Sequence, residues 1–448
     1  MWDRSLTKTS ADGFCPEDAR YIFAAEDFGA VWYGLEQSDA WKSLCQEIPS
    51  PDASTILHIR KTVGIRPFPA RWSTWMGHRF LAARSPDGLG VCVYPGLLLR
   101  TASRLRAALG YPTDADGVGR YSEYAYGWRE GFLIVSTSSD YVRAALRAPA
   151  PRLAQSNGRD ELRVLLPSAH DALIRFRARD GWPIEGQLRV KTTTRKSPLT
   201  LANAWPNDPL CSISAPRWTD IRAVLELFVE PLHGLPGRDA IGAFATSLGQ
   251  RWALGSLAAD WDEQMEECSL ALTSIDTSEA VPVPSLALLL RNASPQAKTH
   301  PLAPVLAPLA PTPYDWNGQR GVAAPLLGNS LNLCLCRSGT TWIAATNEPL
   351  MAVLAGKLKS DDNVDADLAV RLNWKKLSSA AEEVVENAGA HELFPGMNKA
   401  DVDKDVLPFA KAIAYLGTLQ LEARNQGAML EFNGYLARSP TRMARPVQ

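Results

Sequence analysis

Apolar positions along this chain fall into two rhythms, helical and extended, and the two occur in a recurring order. Val31, Trp32 and Leu35, and later Ile221, Val224, Leu225 and Phe228, recur at spacings that form one apolar stripe and predict a helix in each place. Trp75 to Arg84 and Leu89 to Tyr94 flank Ser85-Pro86-Asp87-Gly88, whose proline and glycine set the backbone for a reversal, so this stretch predicts a hairpin. Leu133 to Leu146 runs from β-branched residues into Ser/Thr, then an acid, then a helix with small residues. Thr341 to Leu354 repeats that strand, cap and helix pattern.

These elements belong to four ordered blocks. Cys15-Pro16-Glu17-Asp18-Ala19-Arg20-Tyr21 is matched by Trp205-Pro206-Asn207-Asp208-Pro209-Leu210-Cys211, each ahead of a short apolar strand and a helix. Leu97-Leu98-Leu99-Arg100 matches Leu288-Leu289-Leu290-Arg291, the strand-to-helix block comes third, and Leu162 to Leu166 matches Leu368 to Leu372. Closing hairpins turn at Arg179-Asp180-Gly181 and Asn425-Gln426-Gly427, where glycine tolerates a positive φ. The tails Lys196-Ser197-Pro198 and Arg438-Ser439-Pro440 are also alike. The repeat predicts an α+β fold of two similar tandem lobes, residues 1–200 and 201–448, each an antiparallel sheet covered on one face by helices. Thr299 to Pro313 is proline-rich and reads as an extended connector, poor at helix or sheet.

A length of 448 residues exceeds what one hydrophobic core usually organises, and 46% hydrophobic with 21% charged residues is an ordinary globular composition. The 47 basic and 48 acidic residues nearly cancel, which removes the electrostatic reason to expect a nucleic-acid partner or an anionic membrane. Arg100, Arg104 and Arg106, set among Leu99, Leu105 and Leu109, read as the wet face of one helix. The seven cysteines are dispersed, and most lie in apolar surroundings, as buried small hydrophobes do. The candidate span near Val281 to Leu290 is broken by Pro282 and Pro284, so no transmembrane segment is expected. Met1-Trp2-Asp3-Arg4 lacks the apolar core of a signal peptide. The chain as written is therefore expected in the cytoplasm, and in the periplasm or envelope if an N-terminal anchor or signal has been removed.

The proline-acid opening before a strand, and the step from apolar run through Ser/Thr and acid into a Leu/Ala helix, resemble a family of bacterial domains of unknown function. That family occurs in membrane-anchored or exported proteins with duplicated α+β lobes. The resemblance implies an envelope location and no known catalysis, and this chain departs from it in lacking an N-terminal anchor.

Chemistry is sparse in the sequence. Gly328-Asn329-Ser330 lacks the second glycine of a nucleophile elbow, Gly117-Val118-Gly119 does not continue into a dinucleotide fingerprint, and His391-Glu392 has no second histidine one turn on. His170-Asp171 are helix neighbours that point apart. Cys334 and Cys336 would share one side of a strand, without the spacing of a common zinc site. Asp260, Asp262, Glu263, Glu266 and Glu267 read as the wet face or end of a helix with Trp261 and Met265 turned inward. Asp361 to Asp367 reads as a turn without the glycine of a calcium loop. No catalytic, cofactor-binding or metal residue is assigned. The 14 tryptophans read first as core, then as an interface or the wall of an apolar pocket. The leading expectation is a noncatalytic envelope-associated structural or protein-interaction protein with a protein partner. The alternatives are a carrier of lipid or another apolar small molecule and a hydrolase with an unfamiliar site.

Overall fold

The computed structural model describes residues 14–19, 21–38, 41–42, 79–96, 101, 113–148, 161–166, 172–179, 182–189, 198–229, 265–278, 282–292, 300–327, 331–358, 363–391, 398–426 and 429–438. The chain divides into two compact units, Met1–Arg189 and Val190–Gln448. The division precedes the 200/201 boundary read from the sequence because Leu199, Leu201 and Ala202 are buried among second-unit residues such as Val364, Ala369 and Trp205.

In the first unit the described strands are β1 (Tyr21–Ala25), β2 (Phe80–Ser85), β3 (Gly88–Val93), β4 (Val118–Tyr121), β5 (Tyr124–Arg129), β6 (Phe132–Ser136), β7 (Glu161–Leu166), β8 (Ala172–Arg177) and β9 (Pro183–Leu188). The helices are α1 (Phe28–Gln37) and α2 (Ser139–Arg147). Pairing places the strands side by side in the order β4-β5-β6-β3-β2-β1-β7-β8-β9, every pair antiparallel.

The second unit contains β10 (Cys211–Ala215), α3 (Trp218–Val229), β11 (Met265–Asp276), β12 (Val283–Asn292), α4 (Ala303–Leu306), β13 (Thr312–Trp316), β14 (Gln319–Leu327), β15 (Leu331–Ser338) and β16 (Thr341–Ala345). It continues with α5 (Glu348–Lys357), β17 (Leu368–Asn373), α6 (Trp374–Ala390), α7 (Lys399–Asp405), α8 (Leu407–Ala412), β18 (Thr418–Gln426) and β19 (Met429–Arg438). Its order is β13-β14-β15-β16-β12-β11-β10-β17-β18-β19, again all antiparallel. Without β13 this is the strand order of the first unit.

The expectation of an α+β fold with helix-covered sheets is overturned. Nineteen antiparallel strands dominate the described structure, with 48% strand against 29% helix. Helices do not blanket one face either. In the first unit Val31 and Leu35 of α1 pack with Ala25, Leu162 and Phe176, whereas Tyr141, Val142 and Ala145 of α2 pack with Ile22, Ala24 and Leu81. Successive strand residues face opposite ways, so the two helices lie on opposite faces. Apolar periodicity finds each helix but says nothing of how many strands it covers.

Register identifies equivalent residues in the two units. One cross-strand row runs Leu165, Ile22, Ala83, Gly90, Ser136, Ala125 in the first; its counterpart is Arg371, Ser212, Ala271, Ala287, Ala345, Cys334. By this row the first and fourth sequence blocks are in register. The third is displaced by one residue, since the helix-capping Ser138 corresponds to Asn347. The counterpart of Leu288–Arg291 is Val91–Tyr94; Leu97–Arg100 lies outside the described residues, as do His170-Asp171, Gly328–Ser330, Asp260–Glu263 and Arg100, Arg104 and Arg106. Glu266 and Glu267 are in strand β11, not on a helix, with Glu267 fully buried.

The expected extended connector is folded. Leu302 and Leu306 are buried, a proline in the first turn of α4 sacrifices no helical hydrogen bond, and Pro313 sits in edge strand β13, where a missing N–H does no harm and blocks further pairing. β13 returns to β14 through Asn317 (φ 54°) and Gly318 (φ 82°), a turn whose positive φ values match the strand twist. Ahead of it His300, 7% exposed, accepts a hydrogen bond at Nδ1 from the Leu302 amide (3.0 Å) and packs edge-on against Trp342. Among the described residues no helix is long and apolar enough to cross a membrane.

Two outcomes are expected. A Cβ on Gly90 would come within 2.0 Å of the Tyr141 ring, so Gly90→Ala destabilises the first unit by about 1–3 kcal/mol. In a Tyr141→Leu background that cost falls below about 1 kcal/mol; hydrogen exchange of the β2 and β3 amides measures both. Burial lowers the His300 pKa to about 3. Its folded value lies below the unfolded one, so stability is complete above about pH 6.5 and is lost as pH falls toward 3, by up to about 1.4 kcal/mol per pH unit. Urea unfolding of the second unit between pH 7 and 4 shows this slope, and His300→Asn flattens it.

A polar cleft as candidate functional site

The two units part company at one hairpin. In the first, β2 and β3 end at the Ser85–Gly88 pair. In the second, the equivalent rung is Ser274–Ser285, and β11 and β12 continue past it through Ile275–Pro284 and Asp276–Val283, forming an arm. Register shifts between Leu272 and Ser274, which leaves Thr273 as an extra residue on one strand. A bulge of this kind bends the strand and re-aims side chains, and Thr273 and Ser274, although consecutive, both line one cleft.

Hydrogen bonds hold the arm in place. Thr273 Oγ1 donates to the Ser285 carbonyl (3.1 Å), Asn387 Nδ2 on α6 donates to the Thr277 carbonyl (2.6 Å), and Thr277 Oγ1 donates to Glu383 (3.4 Å). Asn347 joins the arm to α5: its Oδ1 caps the helix by accepting from the Leu350 amide (2.9 Å), and its Nδ2 donates to Ser285 Oγ (2.8 Å). Thr346 Oγ1 accepts from the Leu286 amide (2.8 Å) and donates to the Pro284 carbonyl (3.3 Å).

Between arm, α5, the 205–208 segment and Lys376 lies a cleft of about 950 Å³. Trp205, 6% exposed, forms part of its wall, and among the described residues its indole Nε1–H has no acceptor. Pro349 and Val353 present an exposed apolar wall, since α5 is apolar almost all round. Asp208 and Asp276 are exposed on the rim. Backbone and side-chain hydrogen bonds from Ser278 hold the Asp276 carboxyl below the usual carboxylate range. The Lys376 ammonium donates to the Asp208 backbone carbonyl.

The first unit fills the corresponding space. Tyr141, three residues past the cap like Leu350, lays its ring over Gly90, where the second unit has Ala287; Cys15 stands where the second unit has Trp205. The first copy sets a large ring over a glycine where the second has a leucine and an alanine.

Other charged groups serve packing. Glu267 accepts from the Thr200 amide and hydroxyl (both 2.9 Å) and the Leu201 amide (2.6 Å) and pairs with Arg291 (3.2 Å), pinning residues 199–201 to the sheet; burial pushes its carboxyl up despite these partners. In the first unit Glu26 bridges Arg79 (3.3 Å) and the buried Arg163 (3.1 Å). Cys334 and Cys336 share the buried face of β15, and burial pushes both thiols up to about 12, away from the thiolate a metal needs. Among the described residues no group of three or more His, Cys, Asp or Glu is placed to hold a metal ion. His391 caps the end of α6; Asp365 pairs with Arg424 (2.8 Å) and Asp367 accepts from the Asn425 amide (2.7 Å).

Of the cleft residues, Trp205 to Asp208 and those from Thr346 to Leu354 stand in the repeat blocks; the arm does not. Its trace in the sequence is length: Met265 to Asp276 and Val283 to Asn292 are long runs beside their first-unit counterparts. Asn347→Ala removes both the cap and the bond to Ser285 and is expected to cost about 1–2 kcal/mol, read as faster hydrogen exchange in the first turn of α5.

No protein-family model, no curated protein and no solved structure matches this chain.

Proposed function

We propose that this chain is a noncatalytic protein-interaction protein whose second unit holds a segment of its partner in the cleft between the β11–β12 arm and α5. The observation that carries this reading is the arm itself, an extension of the shared strand plan that is bulged, tied at its tip to α6 and joined by Asn347 to a helix cap. A wall fixed in this way loses little further freedom when something binds, which is the condition for affinity without large area. An envelope location, implied by the family resemblance, belongs to the same proposal.

The cleft supports a protein segment better than a lipid. Hydroxyls, amides and charges of Thr273, Ser274, Asn207 and Asp208 line it, and an alkyl chain would strip them of water with nothing in return. A photo-crosslinking residue placed at Val353, with one at Leu225 as control, tests the proposal in living cells. Adducts with partner peptides are expected from Val353 and are lost when the arm is cut back to the length of the first unit's hairpin. Equal labelling at both positions, or adducts indifferent to the arm, would overturn it.

A further inference from the structure

We infer that the cleft's occupant is an extended peptide that combines a lysine or arginine with an apolar residue, an inference that rests on the interaction reading above. Three features of the cleft lead to this chemistry. The first is an open strand flank. β10 pairs with β11 only from Cys268 to Leu272, so Thr273 to Asp276 have β12 on one side and, among the described residues, no strand on the other. Backbone amides and carbonyls along such a flank favour a further extended chain.

The second feature is charge. Asp208 and Asp276 are both exposed on the rim, and neither has an ion pair among the described residues. Lys376 sits nearby, but its ammonium is engaged by the Asp208 carbonyl oxygen rather than by either carboxylate. The rim therefore carries two carboxylates against one ammonium, a potential that attracts a cationic side chain and repels an acidic one.

The third feature is the apolar wall. Pro349 and Val353 are exposed on α5 beside the half-buried Leu350, opposite the polar arm. Successive side chains of an extended peptide point to opposite sides, so one short segment can turn a basic residue toward the rim and an apolar one toward α5. At the corresponding place the first unit has Tyr141 over Gly90 and a shorter hairpin.

A display library of random heptapeptides panned on the immobilised full chain is the test. Enrichment of sequences that combine Lys or Arg with Leu, Ile, Val or Phe is expected. A synthetic peptide from that pool should bind the Asp208→Asn/Asp276→Asn double variant at least about tenfold more weakly, with salt dependence reduced. Both substitutions are exposed and isosteric, and an unchanged circular dichroism spectrum confirms that the fold is retained. Enrichment of peptides without a basic residue, or binding unaffected by the double variant, overturns this inference while leaving the interaction reading in place. Failure to enrich any peptide overturns both.

Discussion

Backbone hydrogen bonding across antiparallel strands is the constraint under which everything else in this protein is arranged. β1 and β10 are each flanked on both sides, by β2 and β7 and by β11 and β17, so Ile22–Ala25 and Cys211–Ser214 each have a partner strand on either side. A slip of one residue would turn Ile22 and Ala24 away from the face on which Tyr141, Val142 and Ala145 pack. The ladder thus fixes which side chains share a face, and the helices dock where that face is most apolar. At the end of the second ladder Pro313 and the β13 hairpin stop further pairing.

On a common ladder, the two units have diverged in what fills it. At one equivalent pair of positions the first unit places Arg79 and the second Glu267, and each found a different neutralising partner: Glu26 for the arginine, Arg291 for the glutamate. At another, Tyr141 and Gly90 in the first unit stand where the second has Leu350 and Ala287. Close packing leaves little room for a half-measure, because a ring, a methyl and a cleft cannot occupy the same volume. The second unit's arm rises at this point, and its bulge at Thr273 gives two consecutive residues to the cleft that a regular strand would have divided between faces.

The repeat shows how far a one-dimensional pattern reaches. Leu162–Leu166 and Leu368–Leu372 were matched in register because hydrophobic alternation and strand pairing share a period of two. The likeness of Leu288–Arg291 to Leu97–Arg100 is one of composition, and composition carries no register: the ladder makes Val91–Tyr94 its counterpart. A carboxylate in an acidic run, as Glu267 is, reads as solvated. Only the approach of Thr200, Leu201 and Arg291, distant along the chain, makes its burial tolerable.

What the sequence determined on its own was local: the strand, cap and helix pattern of Leu133–Leu146 and Thr341–Leu354, the reversal at Ser85 to Gly88, and the helix carrying Val31, Trp32 and Leu35. Each depends on residues within a few positions of one another, whose φ, ψ and hydrogen-bonding preferences act without help from the rest of the chain. The tertiary structure alone decided that strands outweigh helices, that α1 and α2 take opposite faces, and that Trp205, Asp208, Thr273, Asp276 and Asn347 meet around one cleft. Those outcomes turn on which strands pair and how large the side chain above each rung is, and both are contacts between residues tens to hundreds of positions apart.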